Sequence, residues 1–216
     1  MGSFFNVDNV VFSTINKIVD MVLLSIIFIV VCLPIITIGP AITALYYVIV
    51  KVIRRERSYV FREFFKSFKR NFKQSFIINL IFILMYFILY IDLQYANAIA
   101  GMPGVVLKGI FFAILFLTAA INIYIYPVLS RFEVSIKQLF KNSFFMSIRH
   151  LPFTILMFII VGLFLFVSWL LPIVAIITPA LGTLIFSLIM EKVLKKYMPE
   201  KSDDAASEGI DEWYLE

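Results

Sequence analysis

Long apolar stretches alternate with short clusters of charge along this chain, and most of the stretches are long enough to cross a bilayer. A membrane-spanning helix needs about 20 predominantly apolar residues. The pattern therefore predicts an all-α, polytopic integral membrane protein with six transmembrane helices in three hairpins. The predicted spans cover about residues 18–38, 40–56, 75–94, 105–130, 152–171 and 173–192. The second apolar run is short, so five spans with a re-entrant or surface helix at 41–53 remain an alternative.

Two segments between these spans have the helical period of a surface helix. In residues 59–73, phenylalanines recur at spacings of three and four while basic residues occupy the other side, which predicts an amphipathic helix. The segment 134–149 repeats the pattern more weakly. Both are predicted to be cytoplasmic, with the basic face on anionic headgroups. The residues assigned to the first helix are Phe61, Arg62, Phe64, Phe65, Lys66, Phe68, Lys69, Arg70, Phe72 and Lys73.

The aromatic face of the first helix has three interpretations. A nucleic-acid stripe is disfavoured, because the aromatics segregate on one face between two membrane spans, and no nucleic-acid partner is predicted. The phenylalanines would instead contact either lipid, or the cytoplasmic ends of the protein's own helices or a partner subunit. The sequence alone does not rank these two.

Prolines mark the turns of the first and last predicted hairpins. The first turn reads LPIITIGPAITALYY (33–47) and the last reads LPIVAIITPALGTLIF (171–186). The similarity suggests a duplicated unit of hairpin, surface helix and hairpin. Such turns can mark transporter sites near the bilayer midplane, or can be simple hairpin tips. The turn residues are Pro34, Gly39, Pro40, Pro172 and Pro179.

Composition and charge support the membrane assignment and suggest an orientation. Hydrophobic residues make up 62% of the 216-residue chain, and the formal net charge is +5. Lys and Arg concentrate in 51–73, 131–149 and 192–196, which by the positive-inside rule places these segments and both termini in the cytoplasm. Residues 1–196 are predicted to form one membrane domain. Residues 197–216 are predicted to form an acidic, disordered tail.

Candidate chemistry is sparse. The chain has one cysteine, Cys32, and one histidine, His150, and no phosphate-loop, serine-hydrolase or zinc-protease motif. We therefore predict no catalytic residues, no metal site and no cofactor. The polar residues within apolar runs are Asp20, Asn79 and Asn122. They would either converge on a cytoplasmic-side cavity or, as we favour, serve as interface and packing contacts between helices.

Two motifs in the first third of the chain resemble a known family. A turn with Pro40, Ala41, Ala44 and Leu45 is followed by a basic connector and a phenylalanine-rich helix. The pair resembles the hallmark of the YesL-like integral membrane proteins, a bacterial family of unknown function. The matching residues of the second motif are Phe61, Phe64, Phe65, Ser67, Phe68, Lys69 and Phe72.

The resemblance implies a function and a location, though no site residues. Members are multi-pass proteins of the bacterial cytoplasmic membrane, often encoded beside carbohydrate ABC transporters. The expectation is a non-enzymatic accessory or regulatory partner of a transport complex, contacting permease subunits of a carbohydrate ABC importer. The alternative is a small-molecule transporter or channel in its own right. The oligomeric state is left open.

Overall fold

The computed structural model of the protein describes residues 10–55 and 58–198, with side chains from residue 14 onward. All elements in these ranges are helical. The predicted acidic tail lies outside the described residues from position 199 onward, as do the first nine residues. The described residues form seven α-helices, α1 (Val10–Val31), α2 (Ile38–Val48), α3 (Val60–Ala98), α4 (Met102–Arg131), α5 (Ile136–Arg149), α6 (Leu151–Leu170) and α7 (Thr178–Leu194).

Five segments of the described chain are long and apolar enough to cross a membrane. They are Thr14–Val31, Ile35–Ile53, Val60–Ala98, Met102–Arg131 and Leu151–Leu170. The sixth predicted span, 173–192, is not among them. Its helix α7 has 17 residues, fewer than the 20 or so that a full crossing needs. The proline at 172 explains the difference, because the chain first makes a 3-10 turn over Pro172–Ile176 before α7 begins.

The two proline-rich tips share one design. Pro34 precedes a 3-10 turn, Ile35–Thr37, and Pro40 then lies in the first turn of α2. At the other tip Pro172 opens the 3-10 turn, and Pro179 lies in the first turn of α7. A proline is tolerated in a first helical turn because its missing N–H would have no helical acceptor there. Because the chain turns through Pro34 and this 3-10 turn, the first span ends at residue 31 and not at the predicted residue 38.

The predicted amphipathic helix at 59–73 is not a separate element. It is the first part of α3, which continues without a break through the predicted span 75–94 to Ala98. No proline or glycine occurs between residues 60 and 98, so nothing in the sequence interrupts the helical hydrogen bonds. At 1.5 Å per residue the 39-residue helix is roughly 58 Å long, well beyond a hydrocarbon core of about 30 Å. The basic half and the apolar half of α3 thus form one continuous helix, not two helices separated by a turn.

Helix α2 occupies the centre of the bundle. In the segment Ile35–Ile53, 72% of the residues are buried, against 11–22% in the other four candidate spans. It runs antiparallel to α3, since Lys51 contacts Glu63 while Gly39 lies against Ser75 and Asn79. The apolar half of α3 packs against α4 instead, from Asn79 near Tyr126 to the tip at Ala96. The central helix therefore lies beside the basic half of α3.

The tip between α1 and α2 is held partway along α3. Asn79 donates through Nδ2 to the backbone oxygens of Ile35 (3.1 Å) and Ile36 (3.3 Å). Helix α3 continues 19 residues beyond Asn79, which is roughly 28 Å of helix. The first tip thus stops far short of the tip between α3 and α4. Its exposed residues are apolar, namely Leu33, Pro34, Ile35 and Ile36.

Candidate functional site

An aromatic stripe runs along one flank of the basic half of α3. We use this name for Phe61, Phe65, Phe68, Phe72 and Phe76. Ring centroids are 4.8 Å apart for Phe61–Phe65, 5.4 Å for Phe68–Phe72 and 5.9 Å for Phe72–Phe76. Phe64 joins the two parts of the stripe, with its ring 5.5 Å from Phe65 and 6.2 Å from Phe68. The rings therefore form one continuous surface about four turns long.

The rings along this flank differ in burial. Phe64 is completely buried in the core, and Phe65 and Phe68 are partly buried and pack against the core. At the two ends, Phe61 is 60% exposed and Phe72 is 36% exposed. The predicted aromatic face thus splits between the protein's own core and an outward surface.

The basic side chains of this helix lie on its outer face. Arg62, Lys66, Lys69, Arg70 and Lys73 are all exposed. Arg70 pairs with Glu133 after α4, and because both groups are exposed this contact contributes little stability. The sequence assigned this basic face correctly to the outside. It did not anticipate that Glu63, the acid within the segment, lies on the buried face.

A buried ion pair joins the ends of α4 and α7. Arg131 Nη2 lies 2.7 Å from Glu191 Oε2, and both side chains are almost fully buried. Tyr46 of α2 donates its hydroxyl proton to the other carboxylate oxygen, Oε1, at 2.6 Å. Helices α2, α4 and α7 therefore meet at one carboxylate. Breaking such a pair leaves an uncompensated charge in the interior, which is strongly destabilising.

A second buried pair joins the π-helical turn that follows α2 to α3. Lys51 lies in a π-helical turn, Ile49–Ile53, and its Nζ is 3.1 Å from Glu63 Oε2 and 3.2 Å from the hydroxyl of Tyr47. Ser58 donates to the other oxygen of Glu63 at 2.9 Å. Lys51 turns inward, because a buried carboxylate on the neighbouring helix stabilises its charge.

The three intramembrane polar candidates do not form a single site. Asn79 holds the first hairpin tip and accepts a hydrogen bond from Tyr126 at 3.4 Å. Asn122 is half-buried on α4. Asp20 is half-exposed on α1. Asn79 thus connects the first hairpin tip, α3 and α4.

His150 lies at the junction of α5 and α6, outside the candidate spans. Its Nε2 is 3.1 Å from the hydroxyl of Tyr197, which ties the junction to the chain that follows α7. Burial lowers the pKa of His150 from its usual 6.5, and the charges of Lys196 and Arg149 lower it further. Among the described residues, no three His, Cys, Asp or Glu side chains lie close enough together to hold a metal ion.

A cavity of about 440 Å³ lies among α1, α2, α4, α6 and α7. Its wall is largely apolar, with aromatic rings from Phe28, Tyr46, Tyr126, Phe164 and Phe186. Of the three polar candidates, it includes Asn122 alone. The composition of this cavity was not predicted, since its lining comes from residues that are far apart along the chain.

Glu63 and Glu191 are the site residues that sequence analysis missed. The available signal was that Glu63 is the single acid in 59–73 and that Glu191 directly precedes the basic run 192–196. An acid in a loop that follows the positive-inside rule is a candidate for pairing. Only the folded chain shows which cation it meets.

These observations define the class of the protein, a polytopic helical membrane protein whose buried charges are paired between helices. Residues 21–93 match the model of a family described as "Protein of unknown function, DUF624". The matched region includes α2, the basic connector and most of α3, and so contains both motifs that resemble the YesL-like family. No curated protein matches the chain, and no solved structure matches it.

Proposed function

We propose that this protein is a non-enzymatic accessory or regulatory partner of a membrane transport complex, and that the complex is a carbohydrate ABC importer. The observation that supports an accessory role is the outward part of the aromatic stripe, beside a basic face. Contiguous aromatic surface of this kind is enriched at protein interfaces. The importer comes from the resemblance to a family often encoded beside carbohydrate ABC transporters.

The stripe suits a partner better than it suits lipid alone. It belongs to the half of α3 that is rich in exposed cations, and Phe64, which joins its two parts, is buried in the core. Because Phe64 is fixed in the core, the rings that contact it are already ordered before a partner binds. This order lowers the entropic cost of association. The partner would be a permease subunit, contacted on the cytoplasmic side, where the positive-inside rule places this half of α3 along with both termini.

The test is site-specific photo-crosslinking in the native bacterial host. Full-length protein would carry benzoylphenylalanine in place of Phe61 or Phe72. Phe112 of α4 is the matched control, because it is 59% exposed, close to the 60% of Phe61, and lies in another candidate span. We expect a carbohydrate permease subunit to crosslink at 61 and 72 and not at 112. Lipid adducts alone, or the same proteins at all three positions, would overturn the proposal.

Substitutions provide a second measurement. A Phe61→Ala/Phe72→Ala double variant should lose co-purification of the permease, whereas Phe112→Ala should retain it. Phe64 is unsuitable for this purpose, because its ring is fully buried and its replacement would disturb the fold.

A small-molecule transporter or channel is the second candidate, and the cavity is the observation that favours it. The pathway would pass Asn122, which lines the cavity. Flux of a solute into proteoliposomes that falls in Asn122→Ala, relative to the wild type, would support this role. Equal flux in the two proteins would exclude this pathway.

A further inference from the structure

We infer that the cavity among α1, α2, α4, α6 and α7 is a binding site for one acyl chain of a membrane lipid, which enters from the bilayer between α1 and α6. This goes beyond the accessory role, because it assigns a ligand to a part of the molecule that the proposed docking surface does not use. Its volume of about 440 Å³ lies within the range of about 300–1,000 Å³ typical of ligand pockets.

The mouth of the cavity faces the region where lipid lies. Among the lining residues, Ile29 of α1 and Val161 and Leu165 of α6 are exposed, and Leu165 is 67% exposed. All three belong to candidate membrane spans. An opening bordered by exposed aliphatic side chains in the spans admits a hydrocarbon chain without moving it through water.

The wall offers little to a polar ligand. Four of its six polar side chains direct their hydrogen bonds to other protein atoms rather than into the cavity. Tyr46 donates to Glu191, Tyr126 to Asn79, Ser168 to the backbone oxygen of Phe164 and Thr178 to that of Val174, which leaves Asn122 and Thr183. A sugar or ion entering here would lose its hydration and meet only these two side chains as new partners, which is costly.

The remaining choice is between an empty cavity and an occupied one. Water gains too few hydrogen bonds in an apolar cavity to fill it. An empty cavity would leave the surrounding rings and methyl groups without dispersion partners on one side. A lipid chain is present at high local concentration at the mouth, so it is the occupant that restores those contacts.

The test uses full-length protein in vesicles made with a phosphatidylcholine that carries a photoactivatable diazirine in its acyl chain. After irradiation, adducts are mapped by mass spectrometry. We expect labelling of the cavity residues Tyr126 and Phe186 as well as the lipid-exposed Phe87 and Phe112. Labelling of Phe87 and Phe112 with none in the cavity would overturn the inference.

A filling variant and a matched control make the test specific. Thr183→Phe places a ring in the cavity, while Leu188→Phe places one on the exposed side of the same helix, α7. We expect Thr183→Phe to lose the labels at Tyr126 and Phe186, and Leu188→Phe to keep them. Thr183→Leu is the milder replacement if the larger one fails to fold.

Two further outcomes decide against the acyl chain. Cavity labels that persist in a folded filling variant would show that they arise elsewhere. Cavity labelling by a water-soluble sugar diazirine, at positions the lipid probe does not reach, would show a hydrated path instead. Neither outcome bears on crosslinking at Phe61 and Phe72, so this inference and the accessory role fail independently.

Discussion

Arg131 and Glu191 form a buried ion pair at 2.7 Å that ties the end of α4 to the end of α7, with Tyr46 of α2 bonded to the same carboxylate. The pair is not visible in the sequence, where Arg131 begins a basic loop and Glu191 precedes a basic helix end. It is therefore the clearest case of a contact that gives this bundle one arrangement rather than several.

The first prediction concerns this pair. Glu191→Gln should destabilise the protein by about 3–5 kcal/mol, because Arg131 loses its countercharge in the interior. An Arg131→Met/Glu191→Leu double variant should recover much of that loss. The measurement is thermal unfolding in detergent. A single variant as stable as the wild type would show that the pair does not contribute to the fold.

Tyr46→Phe serves as the graded control for that pair. It removes one hydrogen bond to a charged group, which is worth about 1.5–3 kcal/mol, and leaves the ion pair intact. Its effect should fall below that of Glu191→Gln. The reverse order would mean that the hydroxyl, and not the charge, holds the three helices together.

The second prediction concerns the close approach of α2 and α3. A Cβ added at Gly39 would lie 2.7 Å from the backbone oxygen of Ser75 and 2.8 Å from Cβ of Asn79. Gly39→Ala should therefore cost about 1–3 kcal/mol, as overpacking does. Gly162→Ala is the control, since a Cβ there meets nothing within 4 Å and alanine favours helix. Equal stability of the two variants would contradict the packing.

The third prediction concerns the depth of the first hairpin tip. Cys32, the single cysteine of the chain, lies at this tip, beside exposed apolar residues and far from the end of α3. A membrane-impermeant maleimide should fail to label it from either side of intact vesicles, although it should label the protein in SDS. A Cys32→Ala/Met102→Cys variant is the control, because Met102 is exposed at the tip between α3 and α4. Labelling of Cys32 in intact vesicles would place the tip at an aqueous face.

The fourth prediction is a dependence of stability on pH. Because the pKa of His150 is below 6.5 in the folded protein, the unfolded chain binds a proton more readily. The stabilisation is thus complete above about pH 6.5 and is lost as the pH falls toward the folded pKa. Thermal unfolding followed from about pH 8 down to pH 5 should show this loss in the wild type.

His150→Gln keeps a polar side chain and removes the titration, so its unfolding temperature should change less over the same range. Tyr197→Phe removes the hydroxyl partner and leaves the histidine. If His150→Gln and the wild type follow the same pH curve, another group is responsible.

Sequence reasoning succeeded where the signal is local. The apolar runs were long enough to indicate helices, and five of the segments meet the criteria for a membrane span. The exposed positions of Arg62, Lys66 and Lys73 also followed from the helical period alone. The absence of any breaker between 60 and 98 was visible too, although the basic segment was treated as a separate helix.

The sequence by itself determined that this chain is helical, that its helices suit a membrane, and which face of α3 carries the basic residues, because periodicity and hydropathy are properties of neighbouring residues. Only the tertiary structure decided that α2 is the central helix, that Lys51 and Arg131 turn inward, and that Phe64 is buried while Phe61 is exposed. Those outcomes depend on carboxylates and helix faces that are distant along the chain, such as Glu191 for Arg131, and a burial pattern that only packing creates.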